Sequence, residues 1–328
     1  MVIGIQTARA RIRWVEAGTE VQPTFYHRPV MFKEALEALA VKPGGVYVDC
    51  TVGEGGHALG ILQASRPGGR LLGIDLDPRA LEAARERLQA FASSFTLVRG
   101  NYASLAEMVA SAGLDKVDGV LFDLGLSSLQ LEGERRGFSF LRDEPLDMRL
   151  DPNQTLTAAD IVNTYRLEEL ADIIHHYGEE PRARAIARAI VQRRPIKTAR
   201  ELAQVVALAA GARRGGIHPA TRTFQALRIA VNSELENLER GLAQAIQVLR
   251  PGGRLVTIAY HSLEDRLVKR TLAREASTCI CPPGVPVCTC QHKPTLKVLS
   301  KKVITPSPEE VNANPRSRSA RMRVAERL

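Results

Sequence analysis

The run Val46-Tyr47-Val48-Asp49 is short, β-prone and mostly apolar; it ends in the glycine-rich turn Gly53-Glu54-Gly55-Gly56 and resumes as a helical pattern from His57. Strand, glycine turn and helix form the layout of a nucleotide-binding loop. The same strand-to-helix rhythm then repeats. Arg70 to Asp75 predicts a second strand, followed by the amphipathic "RALEAARERLQAF"; "FTLVRGNY" predicts a third, followed by "SLAEMVASAG". "VDGVLFDLG" predicts a fourth, so apolar throughout that both its faces should be buried. Four β–α units in succession predict an α/β, Rossmann-like parallel sheet wound with helices on both faces.

The rhythm stops after the fourth strand. Between about Gly133 and Arg222, "LTAADIVNTY", "LEELADIIHHYG", "PRARAIARAIVQRR" and "ARELAQVVALAAGA" read as helices, with no convincing strand among them. One long helix, "TRTFQALRIAVNSELENLERGLAQAIQVL", then leads to a fifth strand in "PGGRLVTIAYHS". "LKVLSKKVI" and "SARMRVAERL" are weaker strand candidates because charges alternate through them.

In a doubly wound sheet, ligands bind at the carboxyl ends of the strands. The groups expected there are the glycine turn, Asp75, Asn101-Tyr102 and Asp123. Gly53, Gly55 and Ala58 satisfy the dinucleotide spacing G-x-G-x-x-A, which suggests NAD. Asp49 and Glu54 argue against it, because a pyrophosphate favours a helix N-terminus free of negative charge. Carboxylates suit a ligand bearing an amine and a sulfonium, and S-adenosylmethionine is one. Asp75 is placed to accept both ribose hydroxyls, and the Tyr102 ring to pack on adenine. Asp77, just before Pro78, reads instead as a helix cap.

The chain has 328 residues and a formal charge of +9, which favours a polyanionic partner. It has no apolar run long enough for a bilayer and no secretory signal pattern, so a cytoplasmic location is expected. Four of its five cysteines crowd into "CICPPGVPVCTCQH", where zinc, a reversible disulfide and a plain loop all remain open and no metal is assigned.

Nine blocks carry a family resemblance: "HRPVMFKEAL", "DCTVGEGGH", "GIDLDP", "FDLGLSSLQLE", "RGFSF", "PLDMR", "HPATRTFQALRIAVNSELE", "PGGRLVTIAYHSLEDRLVKR" and "NPRSRSARMRVAER". From about His27 to its end the chain resembles the small-subunit (16S) ribosomal RNA cytosine-N4 methyltransferases, the RsmH/MraW family. The resemblance implies a class I S-adenosylmethionine-dependent methyltransferase with an all-helical insertion. It also implies methylation of the N4 amine of a cytidine in the decoding centre of 16S rRNA, with the small ribosomal subunit the expected partner and free RNA versus assembled subunit left open as substrate. Homodimerisation stays open.

The corresponding domain boundaries are an irregular N-terminal arm at 1–24, a methyltransferase domain at 25–132 and 223–328, and a helical insertion at 133–222 assigned to RNA recognition. The resemblance puts cofactor contacts on Gly55, Gly56, His57, Asp75, Tyr102, Asp123 and Gln130.

Many amino-methyltransferases carry an Asp/Asn-Pro-Pro-aromatic turn after the fourth strand. Here Asp123-Leu124-Gly125-Leu126 occupies that place without the proline–aromatic clamp, so Phe138, Phe140 or groups near His261 are expected to hold the base. Asp123, Asp147 and His261 are the catalytic candidates. For Asp147 a salt bridge with Arg149 or Arg142 is an equal alternative, and for His261 a packing role is nearly so. Arginines between 182 and 214 and between 316 and 323 are candidate phosphate contacts.

Overall fold

The computed structural model describes residues 29–127, 136–211, 218–282 and 287–328. The N-terminal arm and Gln130 lie outside them. Seven strands form one sheet in the order β3-β2-β1-β4-β5-β7-β6. β1 (Val46–Asp49), β2 (Arg70–Asp75), β3 (Phe95–Arg99), β4 (Val117–Asp123) and β5 (Leu249–Ala259) run parallel. β7 (Arg321–Arg327) lies antiparallel between β5 and β6 (Leu296–Val298), so both weak candidates form strands at the sheet edge.

The period-two alternation of each strand divides its apolar residues between two cores. Tyr47, Leu71, Leu121, Val256 and Ile258 point to one face, where α1 (Phe32–Leu39), α2 (Gly56–Ala64) and α3 (Pro78–Arg87) cover them. Val48, Leu72, Val120, Phe122 and Leu255 point to the other, beneath α4 (Leu105–Ser111), α10 (Glu234–Val248) and α11 (Ser262–Glu275). β4 is buried from Val117 through Phe122, as its uninterrupted apolar run requires. The Asp77 carboxylate accepts the Arg79 N–H at 3.0 Å and caps α3 as expected.

Between β4 and β5 the chain forms α5 (Ala158–Thr164), α6 (Leu167–Gly178), α7 (Ala183–Arg193), α8 (Ala199–Ala210) and α9 (Thr221–Asn232). These share a third core that includes Ile161, Ile174, Ile186, Leu202 and, from α9, Phe224 and Leu227. By packing, this core extends through α9 to Val231, beyond residue 222.

The expected single long helix is two helices, α9 and α10. It breaks at Ser233, whose φ of 47° is left-handed. Arg228 closes the break from one side, donating from Nε and Nη2 to the two carboxylate oxygens of Glu234 at 2.8 Å each. Asn232 closes it from the other. Its Oδ1 accepts the Leu150 N–H at 2.8 Å, and its Nδ2 donates to the carbonyls of Met148 (2.8 Å) and Arg228 (2.9 Å). Asn232 thus ties the segment entering the helical unit to the helix leaving it. Asn232→Ala should remove three side-chain-to-backbone hydrogen bonds, the one to Met148 fully buried, and lower unfolding free energy by about 2–4 kcal/mol, read by urea denaturation; a loss below 0.5 kcal/mol would show that the tie does not stabilise the fold.

Candidate active site

A cavity of about 440 Å³ opens at the carboxyl ends of β1, β2 and β4. The glycine turn forms one wall, and its glycines serve different ends. Gly53 lines the cavity at φ +50°, and its N–H donates to Asp75 Oδ2 at 2.9 Å. Gly56 also lines it, and a Cβ there would sit 2.3 Å from the Pro29 ring. Gly55 does not line it. At φ +77° Gly55 begins α2, and a Cβ would press on the Ala84 Cα at 3.3 Å, so this glycine lets α2 approach α3. Among the three, Gly53 and Gly56 line the cavity.

Three carboxylates converge on this edge from three strand ends. Burial pushes Asp49 up to about 8, against the Thr51 N–H it accepts and with added repulsion from Asp123 and Asp75. Burial also pushes Asp75 up to about 6, even though its oxygens accept the N–H groups of Asp77 and Gly53 at 3.0 and 2.9 Å. Burial thus disfavours the ionised forms of Asp49 and Asp75, and a cation beside Asp75 and Asp123, which line the cavity, would favour them.

Asp123 is the most elaborately held of the three. Its backbone N–H donates to Thr51 Oγ1 at 2.7 Å, and the Tyr260 hydroxyl donates to its Oδ1 at 2.7 Å. Gly125 permits that contact, since a Cβ there would lie 2.7 Å from the Tyr260 ring. His57 Nδ1 stands 3.6 Å from Asp123 Oδ2. The other ring nitrogen, Nε2, is 3.1 Å from the Val30 carbonyl, which can only accept, so Nε2 carries the proton. Burial holds the imidazole below its ordinary pKa despite the neighbouring carboxylate. Neutral His57 therefore turns an unprotonated Nδ1 towards Asp123.

Tyr260 was not picked out by sequence reasoning, which chose the adjacent His261. His261 instead caps α11: its Nδ1 accepts the Glu264 N–H at 3.4 Å, and its Nε2 stands 3.0 Å from Glu264 Oε1. It lines a neighbouring groove with Arg318 and Arg321; that groove shares Tyr260 and Ser319 with the main cavity. Arg228, Glu234 and Glu264 line the main cavity as a charged cluster, also unexpected. Burial would raise Glu264, but His261 and Arg228 hold its carboxyl below the ordinary value. A signal existed in the Arg228-to-Glu234 spacing, concealed by reading one continuous helix.

Tyr102 lines the cavity as expected, its ring held edge-on to Phe122 at 5.4 Å between centroids and backed by Gly241. Asp147 does not line the cavity. Arg149 grips its carboxylate through Nε (2.8 Å) and Nη2 (2.7 Å), which is the salt-bridge alternative. Phe138 and Phe140 pack in the helical core, Phe140 stacked on His218 at 4.5 Å, and neither is brought to the cavity. Cys50 does line it, but burial and the Asp49 charge raise its thiol well above the ordinary value, which disfavours a nucleophilic thiolate.

A parallel sheet of this order with one antiparallel strand near its edge, a glycine turn after β1 and an acid at the end of β2 together define a class I S-adenosylmethionine-dependent methyltransferase. The cavity has the volume usual for a site of such a ligand, and its acidic edge fits the ligand's positive charge. The profile of the MraW methylase family matches residues 24–328, and the chain belongs to that family. It is 59% identical to the ribosomal RNA small subunit methyltransferase H of Dehalococcoides mccartyi, over 92% of this chain and 86% of that one. It is 56% identical to the protein of the same name from Thermomicrobium roseum, over 92% and 94% respectively.

The Asp75 carboxylate must be ionised to accept hydroxyl hydrogens on both oxygens. With its value at about 6 in the unliganded protein, S-adenosylmethionine affinity should climb as pH rises from 5 to 7 and level off above. Asp75→Asn should weaken binding at pH 7.5 by at least tenfold, on the scale of about 1.5–3 kcal/mol for a bond to a charged group, and flatten that climb. Calorimetry across the pH range checks it, and wild-type affinity in the variant would refute the assignment.

Proposed function

We propose that this methyltransferase acts on small-subunit ribosomal RNA, and that its target is the exocyclic N4 amine of a cytidine in the decoding centre. The observation that carries the chemistry is Asp123, fixed by Tyr260 and Thr51 and facing His57 at the mouth of the fourth strand. The substrate class rests on the kinship with proteins named for ribosomal RNA and on the distribution of positive charge.

Bound S-adenosylmethionine supplies an electrophilic methyl group on a sulfonium. Asp75 would hold its ribose, Tyr102 would pack against its adenine, and Gly53 and Gly56 would bring backbone close to it. A cytosine amine is a poor nucleophile because its lone pair is delocalised into the ring. An acceptor for one N–H raises electron density on nitrogen and aims the remaining lone pair. Asp123 is that acceptor. The Tyr260 hydroxyl on Oδ1 sets the carboxylate plane and directs Oδ2 towards the amine. As positive charge develops on nitrogen, the proton passes to the carboxylate edge, where the unprotonated Nδ1 of His57 stands 3.6 Å from Oδ2. No covalent enzyme intermediate is needed, in keeping with the unreactive Cys50.

The groove lined by Arg318 and Arg321 adjoins the cavity at Tyr260 and is the proposed path for the nucleotide. On the helical unit, α7 exposes Arg184, Arg188 and Arg193, none of which is held in an ion pair among the described residues. These suit phosphate contacts. Other candidates are engaged internally: Arg194 donates to the carbonyls of Val162 and Tyr165, Arg182 to that of Ala210 and Arg200 to that of Leu141, Arg323 pairs with Asp265, and Arg321 of the groove stands 3.4 Å from the same carboxylate.

Incubating small ribosomal subunits, or free 16S rRNA, with labelled S-adenosylmethionine and digesting the product to nucleosides tests the reading. Label should appear as N4-methylcytidine at one position. Asp123→Asn should slow single-turnover transfer at saturating cofactor about 100-fold, the scale of losing one preorganised polar group. Label on a ring carbon, or a variant rate within a few-fold of wild type, would refute it.

A further inference from the structure

We propose that Cys279, Cys281, Cys288 and Cys290 bind one zinc ion, which serves as the structural centre of the loop between α11 and β6. The four sulfurs all lie within 4.8 Å of one another. Cys288 and Cys290 Sγ are 3.6 Å apart, and Cys290 and Cys279 Sγ 3.9 Å. Sulfurs at about 2.3 Å from a tetrahedral zinc stand about 3.8 Å from each other, so these separations are those of a ligand shell. Cys-x-Cys pairs are tighter than the common zinc spacing. Here the loop brings the two pairs face to face, so that each contributes one edge of the tetrahedron.

The backbone is arranged for thiolates. The N–H of Ile280 points at Cys290 Sγ, that of Cys281 at Cys279 Sγ and that of Thr289 at Cys281 Sγ, each at 3.4 Å. Such donors spread the charge that four sulfurs concentrate around one ion. His292 is not one of the groups that converge within 4.8 Å of one another, and its Nε2 stands 3.1 Å from the Arg274 carbonyl.

The loop also lacks another source of order. No helix or strand occurs between Glu275 and Leu296 among the described residues, and its apolar side chains Ile280 and Val287 are exposed. Its base is closed by Thr295, which donates to the Glu275 carbonyl at 2.8 Å and to the Glu275 carboxylate at 2.7 Å. A segment without a core needs a staple, and four thiols around a metal supply one. α11 starts at the cavity edge and runs 14 residues away from it, about 20 Å of helix, so the ion sits remote from methyl transfer.

The full-length untagged protein, purified under reducing conditions without chelator, should carry one zinc per chain by elemental mass spectrometry. Alkylation should spare the four cysteines in the zinc-loaded protein and modify all four after zinc is stripped. The pair Cys279→Ser/Cys290→Ser should lose the metal while its S-adenosylmethionine affinity stays within about twofold of wild type. The proposal is overturned if reduced wild-type protein neither holds zinc nor takes it up on addition, if iron is found in its place, or if alkylation is the same with and without zinc. Disulfides among these cysteines in the zinc-treated protein would also overturn it.

Discussion

The carboxyl edge of the sheet gathers the carboxyl groups of Asp49, Asp75 and Asp123, and burial makes ionisation of the first two expensive. Asp49 is 1% exposed, and burial disfavours the charged forms of Asp49 and Asp75 enough to lift their pKa values to about 8 and about 6. Nearby N–H groups of Thr51, Gly53 and Asp77 offset part of that cost. The rest waits for a ligand of opposite charge. In the unliganded protein these carboxylates are raised above their unfolded values, so the stability they contribute is complete below pH 4. It is lost as pH rises through about 6 for Asp75 and about 8 for Asp49. A cationic cofactor beside Asp75, which lines the cavity, would oppose that trend, so folding and cofactor recognition would both draw on this carboxylate.

The second requirement is that a large helical unit, inserted between β4 and β5, stay in register with this edge. Asn232 and the Arg228–Glu234 pair meet it at the left-handed turn at Ser233. Arg228 and Glu234 line the cavity and also shape the joint between α9 and α10. A substitution there would disturb cofactor pocket and helical unit together, which separates this pair from the surface arginines of α7.

The sheet was legible because short apolar runs mark its parallel strands, three of which, β1, β2 and β4, end in an aspartate, and because the β–α rhythm breaks where the helices begin. Asp75, Tyr102 and Asp123 were legible as strand-end residues. Tyr260 was not. Its partner lies 137 positions away, and only the pairing of β4 with β5 brings the two strand ends together. A glycine fingerprint does not say which neighbour a missing side chain makes room for; at Gly55 a Cβ would press on the Ala84 Cα. The break at Ser233 was invisible because the apolar pattern of α9 continues into α10, and a buried asparagine with three backbone partners overrides it. Asp147 followed the local rule, pairing with an arginine two residues away.

The account rests on Tyr260 acting through Asp123, and a double-mutant cycle in single-turnover methyl transfer at saturating cofactor tests that most directly. Tyr260→Phe removes the hydroxyl that fixes Oδ1 and should slow transfer in the wild-type background. In the Asp123→Asn background its further effect should shrink to within about twofold, because the group it positions has already been lost. Equal rate losses from Tyr260→Phe in both backgrounds would contradict the account.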